Sequence, residues 1–148
     1  MADTLRMQFG TAREDLPTLD RPGVYAVILC PDGKIATVSA GGDVVHLPGG
    51  GIEPGESERE ALERELREEI GHIPGAVERL GFASQYCHLP ARRVNLNKIC
   101  HYYRVLEADL LPADPGKYTC VWLAPEEAIR ALAHESHAWA VGMAVARS

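Results

Sequence analysis

The sequence predicts an α/β fold, and three observations carry that expectation. Apolar, β-branched runs such as Val24–Cys30 (VYAVILC) recur between turn signals. One capped, acidic helix interrupts them after Ser57. Two further helical stretches follow Pro125. At 148 residues the chain is the size of one ordinary domain with a single core. It contains no repeat, low-complexity tract or linker, so one domain over residues 1–148 is expected.

Taken in order, residues 1–20 read as an irregular lead-in with one edge strand, broken by Pro17 and Asp20. Val24–Cys30 is apolar at nearly every position, the pattern of a strand covered on both faces. Pro31-Asp32-Gly33 is a turn, and Lys34–Ser39 is the second arm of a hairpin. After Gly41-Gly42-Asp43, a short strand over Val44–Leu47 leads into a loop of three glycines, 49 to 51. Ser57 with Glu60 three residues on is a capping box. Gly71 followed by Pro74 is a stop signal, which sets the helix at Glu58–Ile70. Residues 76–90 and 96–108 are strand-like around the polar turn ARRVNLN. Residues 110–116 (LLPADPG) read as a loop, Lys117–Leu123 as a strand, Glu126–Ala133 and Ser136–Ala146 as helices.

Charge is concentrated in the first helix. Glu56–Glu69 holds seven glutamates and three arginines, four net negative charges out of −6 for the chain. Helical spacing gathers Leu62, Leu66 and Ile70 into one apolar stripe. Glu65, Glu68 and Glu69 fall on an arc beside it, and Glu63, Arg67, Glu60 and Arg64 on the far side. Like charges at i, i+3 and i+4 repel, so three carboxylates on one arc need a compensating benefit. A hard divalent cation, Mg²⁺ or Mn²⁺, supplies one, because it takes oxygen ligands and is commonly shared with substrate phosphate. The adjacent glycines allow backbone to come close to a ligand, and a carbonyl there is a further oxygen donor. The spacing therefore points to a metal-dependent phosphate-ester or phosphoanhydride site.

These residues resemble the signature of the Nudix hydrolase family, G-x5-E-x7-R-E-U-x-E-E-x-G-U. Gly50, Glu56, Arg64, Glu65, Leu66, Glu68, Glu69 and Gly71 stand at the required spacing. His72 stands where the last bulky apolar residue belongs. The resemblance implies a mixed sheet sandwiched between helices, with a loop–helix–loop metal site. It implies Glu65, Glu68 and Glu69 as metal ligands, one of them a candidate base, and the Gly50 carbonyl as another ligand. Arg64 would orient a catalytic carboxylate, Glu56 would brace the loop, and Gly71 belongs to the motif. It further implies hydrolysis of a nucleoside diphosphate linked to another group by attack of water on phosphorus. A nucleoside triphosphate, normal or oxidised, is the leading substrate. A nucleotide sugar or ADP-ribose is the alternative within enzymes, and a nucleotide-sensing module without turnover is the alternative outside them. Many relatives carry a late acid three positions before the final tryptophan, which here is Thr119; Glu107, Asp109 and Asp114 are the nearby carboxylates.

The rest is read more plainly. Arg92, Arg93 and Lys98 are candidate contacts for substrate phosphate, against the simpler reading of an exposed turn. Cys87-His88 and Cys100-His101 suggest zinc, but neighbouring strand residues face opposite ways, which favours ordinary packing. Trp139 and His137 read as core of the last helix, and Tyr86, Tyr102 and Tyr103 as strand residues. Cys30, Cys87, Cys100 and Cys120 read as reduced core cysteines of a cytoplasmic protein. No apolar run is long enough to span a membrane, the N-terminus lacks a signal-like apolar run, and no net basic charge advertises nucleic acid. The expected partner is a small nucleotide, and a homodimer stays open.

Overall fold

The computed structural model describes residues 6–39 and 41–147. Its elements are β1 (Arg6–Phe9), β2 (Thr18–Leu29), β3 (Ile35–Val38), β4 (Gly49–Gly51), α1 (Glu58–Ile70), β5 (His72–Pro74), β6 (Glu78–Leu89), β7 (Val94–Leu106), β8 (Leu110–Pro112), β9 (Cys120–Leu123), α2 (Pro125–Ala131) and α3 (Glu135–Ala146). The main sheet runs β1-β6-β7-β2-β3-β9, with β4 paired to β2 beside β3. It is mixed: β6 and β7 are antiparallel, whereas β2 lies parallel to β7 from Thr18↔Asn95 to Leu29↔Leu106.

Helices cover both faces. Val24, Ala26 and Ile28 pack with Ala61, Leu62 and Leu66 of α1. Val27 and Leu29 pack with Ala128, Ala140, Val141 and Ala144 of α2 and α3. That division explains why the run after Gly23 is apolar at consecutive positions: each face of β2 has its own helical layer.

The helix boundaries follow the caps. The Ser57 side chain accepts from the Glu60 N–H, the Glu60 side chain accepts from the Ser57 N–H, and Gly71 ends α1 in the left-handed conformation at φ 74. Several expectations shift. The irregular lead-in, residues 1–20, lies partly outside the described residues. The described part contains the edge strand β1, parallel to β6, and the start of β2, drawn out to Thr18 by its pairing with β7. Val44–Leu47 is not a strand but makes two isolated bridges, Val38↔His46 and Val45↔Leu132. The glycines instead form the strand, β4. A Cβ on Gly49 would meet the Val24 carbonyl oxygen at 2.1 Å, so a bare backbone is what lets β4 close on β2. The loop at 110–116 begins as β8, which pairs with β5 and so clasps the end of α1. Of the four free cysteines only Cys100 is buried; the others are half-buried at strand ends.

Candidate active site

The capping box fixes the rotational phase of α1, and that phase sets which carboxylates face the glycine strand. Glu69 reaches β4 directly, its Oε1 accepting from the Gly49 N–H at 2.8 Å. The carboxylate of Glu65 lies against Gly50, 2.6 Å from where a Cβ on that glycine would stand. Only a glycine leaves this room. Glu68 is at the rim, about half exposed.

Arg64 ties these groups together. Its guanidinium donates to both oxygens of Glu56 at 2.7 and 2.9 Å, to Glu65 at 2.9 Å, to Glu68 at 3.1 Å and to the Gly51 carbonyl at 2.9 Å. Five directed donors in one plane suit this task, which a lysine could not perform. Glu56 also accepts from the Glu53 N–H at 2.8 Å. Arg64 and that N–H hold Glu56 well down, at about 2. The other two carboxylates behave oppositely. Burial raises Glu65, with Arg64 opposing. Burial pushes Glu69 up to about 7, against the Gly49 N–H, with Glu65 and Glu68 adding repulsion. A protein that buries part-repelling carboxylates beside a backbone built for close approach has a donor set of oxygens only. That chemistry suits Mg²⁺ or Mn²⁺ rather than a thiolate- or imidazole-seeking metal. Among the described residues no three His, Cys, Asp or Glu side chains converge tightly enough to hold one ion, because Arg64 engages Glu65 and Glu68 while Gly49 engages Glu69. The Gly50 carbonyl oxygen faces β2, 2.9 Å from where a Cβ on Gly23 would stand.

Two adjoining cavities open beside β4. One, of about 260 Å³, is lined by Glu69, Gly49, His46, Leu47, Val38, Tyr118 and Tyr25. The other, of about 290 Å³, is lined by Tyr25, Gly51, Ile52, Leu96, Lys98 and Cys100, with Arg21, Pro22 and Gly23. Tyr25 belongs to both. Behind it, His137 is fully buried, and its Nδ1 accepts from the Leu47 N–H at 3.2 Å. Burial keeps His137 neutral.

Other sequence candidates fall elsewhere. Arg92 and Arg93 sit exposed at the turn joining β6 to β7 and line neither cavity; of the three candidate cations only Lys98 does. Asp114 lies 3.6 Å from Arg67 on the exposed side of α1, apart from the other carboxylates. Glu107 lines a separate cavity with Ile70, His72 and Trp122. Glu63 is outward, paired with Arg59 at 2.6 Å. Cys87-His88 lies near the turn of the β6–β7 hairpin, opposite Leu96-Asn95, and Cys100-His101 lies midway along it, opposite Ala83-Phe82; among the described residues they form no metal cluster. His101 instead faces Glu58. Tyr25, His46 and Tyr118 escape sequence reasoning, since nothing in their local pattern announces a cavity. The segment before β9 does show its place: the Lys117 and Tyr118 N–H groups cap the Glu68 and Glu69 carbonyls at 2.7 and 2.8 Å.

Comparison with known proteins finds relatives in sequence and in fold. The family model for the NUDIX domain matches residues 19–142. The chain is 39% identical over 77 residues to an RNA pyrophosphohydrolase of Halorhodospira halophila, which covers 50% of this chain and 42% of that protein. The chain thus spans well under half the length of the curated relatives it matches. Among solved structures, the E. coli ORF135 protein superposes with a TM-score of 0.63 at 28% identity, covering 92% of this chain and 94% of that one. A MutT protein from Bacillus halodurans superposes with a TM-score of 0.67 at 18% identity over 84% of this chain and 82% of that one, a likeness of fold.

Proposed function

The chain belongs to the NUDIX family, and from that premise we propose that it is a pyrophosphohydrolase acting on the diphosphate bridge of a nucleotide, with a nucleoside triphosphate as leading substrate. The observation that supports the reading is the Glu65 carboxylate lying against Gly50 and the Glu69 carboxylate on the Gly49 N–H, the latter lining a cavity beside the glycine strand. Members of this family generally depend on divalent metal, and the oxygen-only donor set supports Mg²⁺ or Mn²⁺ here. Glu65, Glu68 and Glu69 would hold it, with a carbonyl of the Gly50 strand as the backbone candidate. When bound, the metal neutralises phosphate oxygens and makes water more acidic.

The chain's own residues do the rest. Arg64 bridges Glu65 and Glu68 through one guanidinium nitrogen, and Glu56 anchors Arg64 to the loop. Glu69, which accepts from the Gly49 N–H and lines the cavity beside β4, is the helix carboxylate best placed to take a proton from the attacking water. Gly71 ends the helix just after Glu69, so the site is closed on that side by the 113–118 segment. One domain over the whole chain is part of the proposal. The four free cysteines support a reducing, cytoplasmic setting, and no described helix is long and apolar enough to cross a membrane.

A screen of nucleoside monophosphate release from nucleoside triphosphates, nucleotide sugars and ADP-ribose, with Mg²⁺ or Mn²⁺ and with metal chelated, tests the reading. Metal-dependent release from at least one of them is expected. No release from any, or full release with the metal chelated, overturns it.

A further inference from the structure

We propose that Lys98 reads the base of the nucleotide and selects bases with a keto oxygen, the 6-oxo purines and 4-oxo pyrimidines, over those with an amino group at that position. The proposal rests on the hydrolase reading only for the nucleotide itself.

Lys98 projects from β7 into the cavity of about 290 Å³. Its Nζ lies 3.0 Å from His134 Nε2. An ammonium carries three donors and no acceptor, so His134 accepts at that nitrogen. Burial, and then the Lys98 charge, bring His134 down to about 4, which agrees with a neutral ring. Two donors of the ammonium remain, and among the described residues no carboxylate stands within ion-pair distance of them. A half-buried cation held in place by a neutral imidazole, with no anion beside it, is set for a ligand acceptor.

The walls decide what kind. Arg21, level with Lys98, also lines the cavity but is exposed to solvent, whereas Ile52, Leu96, Cys100 and the Tyr25 ring form less exposed, mainly apolar walls. A phosphate needs donors around several oxygens, whereas a flat base has apolar faces and a polar edge. Position agrees. Lys98 is level with Arg21, and Gly50 is level with Val24 on the other side of β2. Two strand spacings across and three residues along put Lys98 roughly 14 Å from Gly50 between Cα atoms. A group held by Lys98 is therefore well removed from the bridge held at the glutamates. At that edge a 6-oxo purine shows two acceptors, O6 and N7, to an ammonium, while adenine shows N7 beside the N6 donor.

The test titrates the full chain with inosine and with adenosine, which differ at the purine 6 position and carry no phosphate, following backbone amide resonances. Inosine should shift the amides of Gly23, Gly51 and Lys98 and bind roughly fivefold or more tightly than adenosine. In Lys98→Met that ratio should fall to near one, and if this variant fails to fold, Lys98→Gln is read the same way. Equal affinity in the wild type, or an unchanged ratio in the variant, overturns the proposal. So does inorganic phosphate shifting these amides, in a Lys98-dependent way, where neither nucleoside does. A wild type that prefers inosine in this way but releases no nucleoside monophosphate from any nucleotide would refute the hydrolase reading and leave the base reading standing.

Discussion

One added methyl group at Gly50 tests how closely the site is built. A Cβ there would stand 2.6 Å from Cδ and Oε1 and 2.7 Å from Oε2 of Glu65. Ordinary contact between such atoms is near 3.5 Å, so the carboxylate must retreat by about 1 Å. That retreat pulls Glu65 off the Arg64 guanidinium, which holds it at 2.9 Å. Displacements of about 1 Å can cost 10²-fold in rate, and Gly50→Ala should lose about that much turnover. Stability should change little. Gly50 is not in the left-handed region, and what the methyl meets is the far end of a flexible side chain, so the cost is at the low end of overpacking, about 1 kcal/mol. Nucleoside monophosphate release at saturating metal and thermal unfolding measure the two effects separately. Gly142→Ala, a methyl added in α3 where nothing lies within 4 Å, is the control and should leave turnover intact. A folded Gly50→Ala protein with turnover within threefold of wild type would refute the placing of Glu65.

Further outcomes follow from the same geometry. Glu65→Gln and Glu69→Gln should each lower turnover by 10² or more, while Glu63→Gln, which loses only an exposed pair with Arg59, should be nearly silent; equal losses would mean the helix is wrongly phased. Glu56 is held at about 2 against an ordinary 4.5, so its contribution to stability is complete above pH 4.5 and is lost as pH falls towards 2. Glu56→Gln should therefore melt lower than wild type at pH 7, with the gap closing between those two pH values; a gap independent of pH contradicts the Arg64 pairing. Asp114→Asn, Glu107→Gln and Asp109→Asn should each keep turnover within about tenfold, because a lost general base costs 10²–10⁴, and a collapse in any of the three would name a base outside α1.

The half of the site carried by α1 was legible because it is local. Cap, stop and carboxylate spacing all lie within Ser57–Gly71, where i, i+3 and i+4 neighbours are set by helical geometry alone. The mixed sheet between helices was legible through the signature and the run of strands. The other half depends on partners far apart in sequence. Lys98 reaches a cavity because β7 lies parallel to β2, a pairing that brings Arg21 beside Lys98 across 77 positions. No local pattern encodes that register, so Lys98 could be grouped in sequence only with Arg92 and Arg93, which the turn carries away. The same long-range pairing lengthened β2 and turned the glycine loop into β4.

Arg64 shows why helical phase alone misplaces some side chains. Counting angles puts it with Glu60, Glu63 and Arg67 on the face away from the apolar stripe. Yet its guanidinium ends among Glu56, Glu65 and Glu68, and only a quarter of the side chain is exposed. A long side chain can cross most of a helix face, and it goes where its donors find acceptors. The preceding loop supplies the strongest ones: Glu53 and Gly55 turn the chain so that Glu56 lies eight residues back but within 2.7 Å. The loop therefore selects the Arg64 conformation, and Arg64 in turn sets Glu65 and Glu68. This chain of dependence means that Glu56, which lines neither of the two cavities beside β4, governs the geometry of the carboxylates proposed to hold the metal.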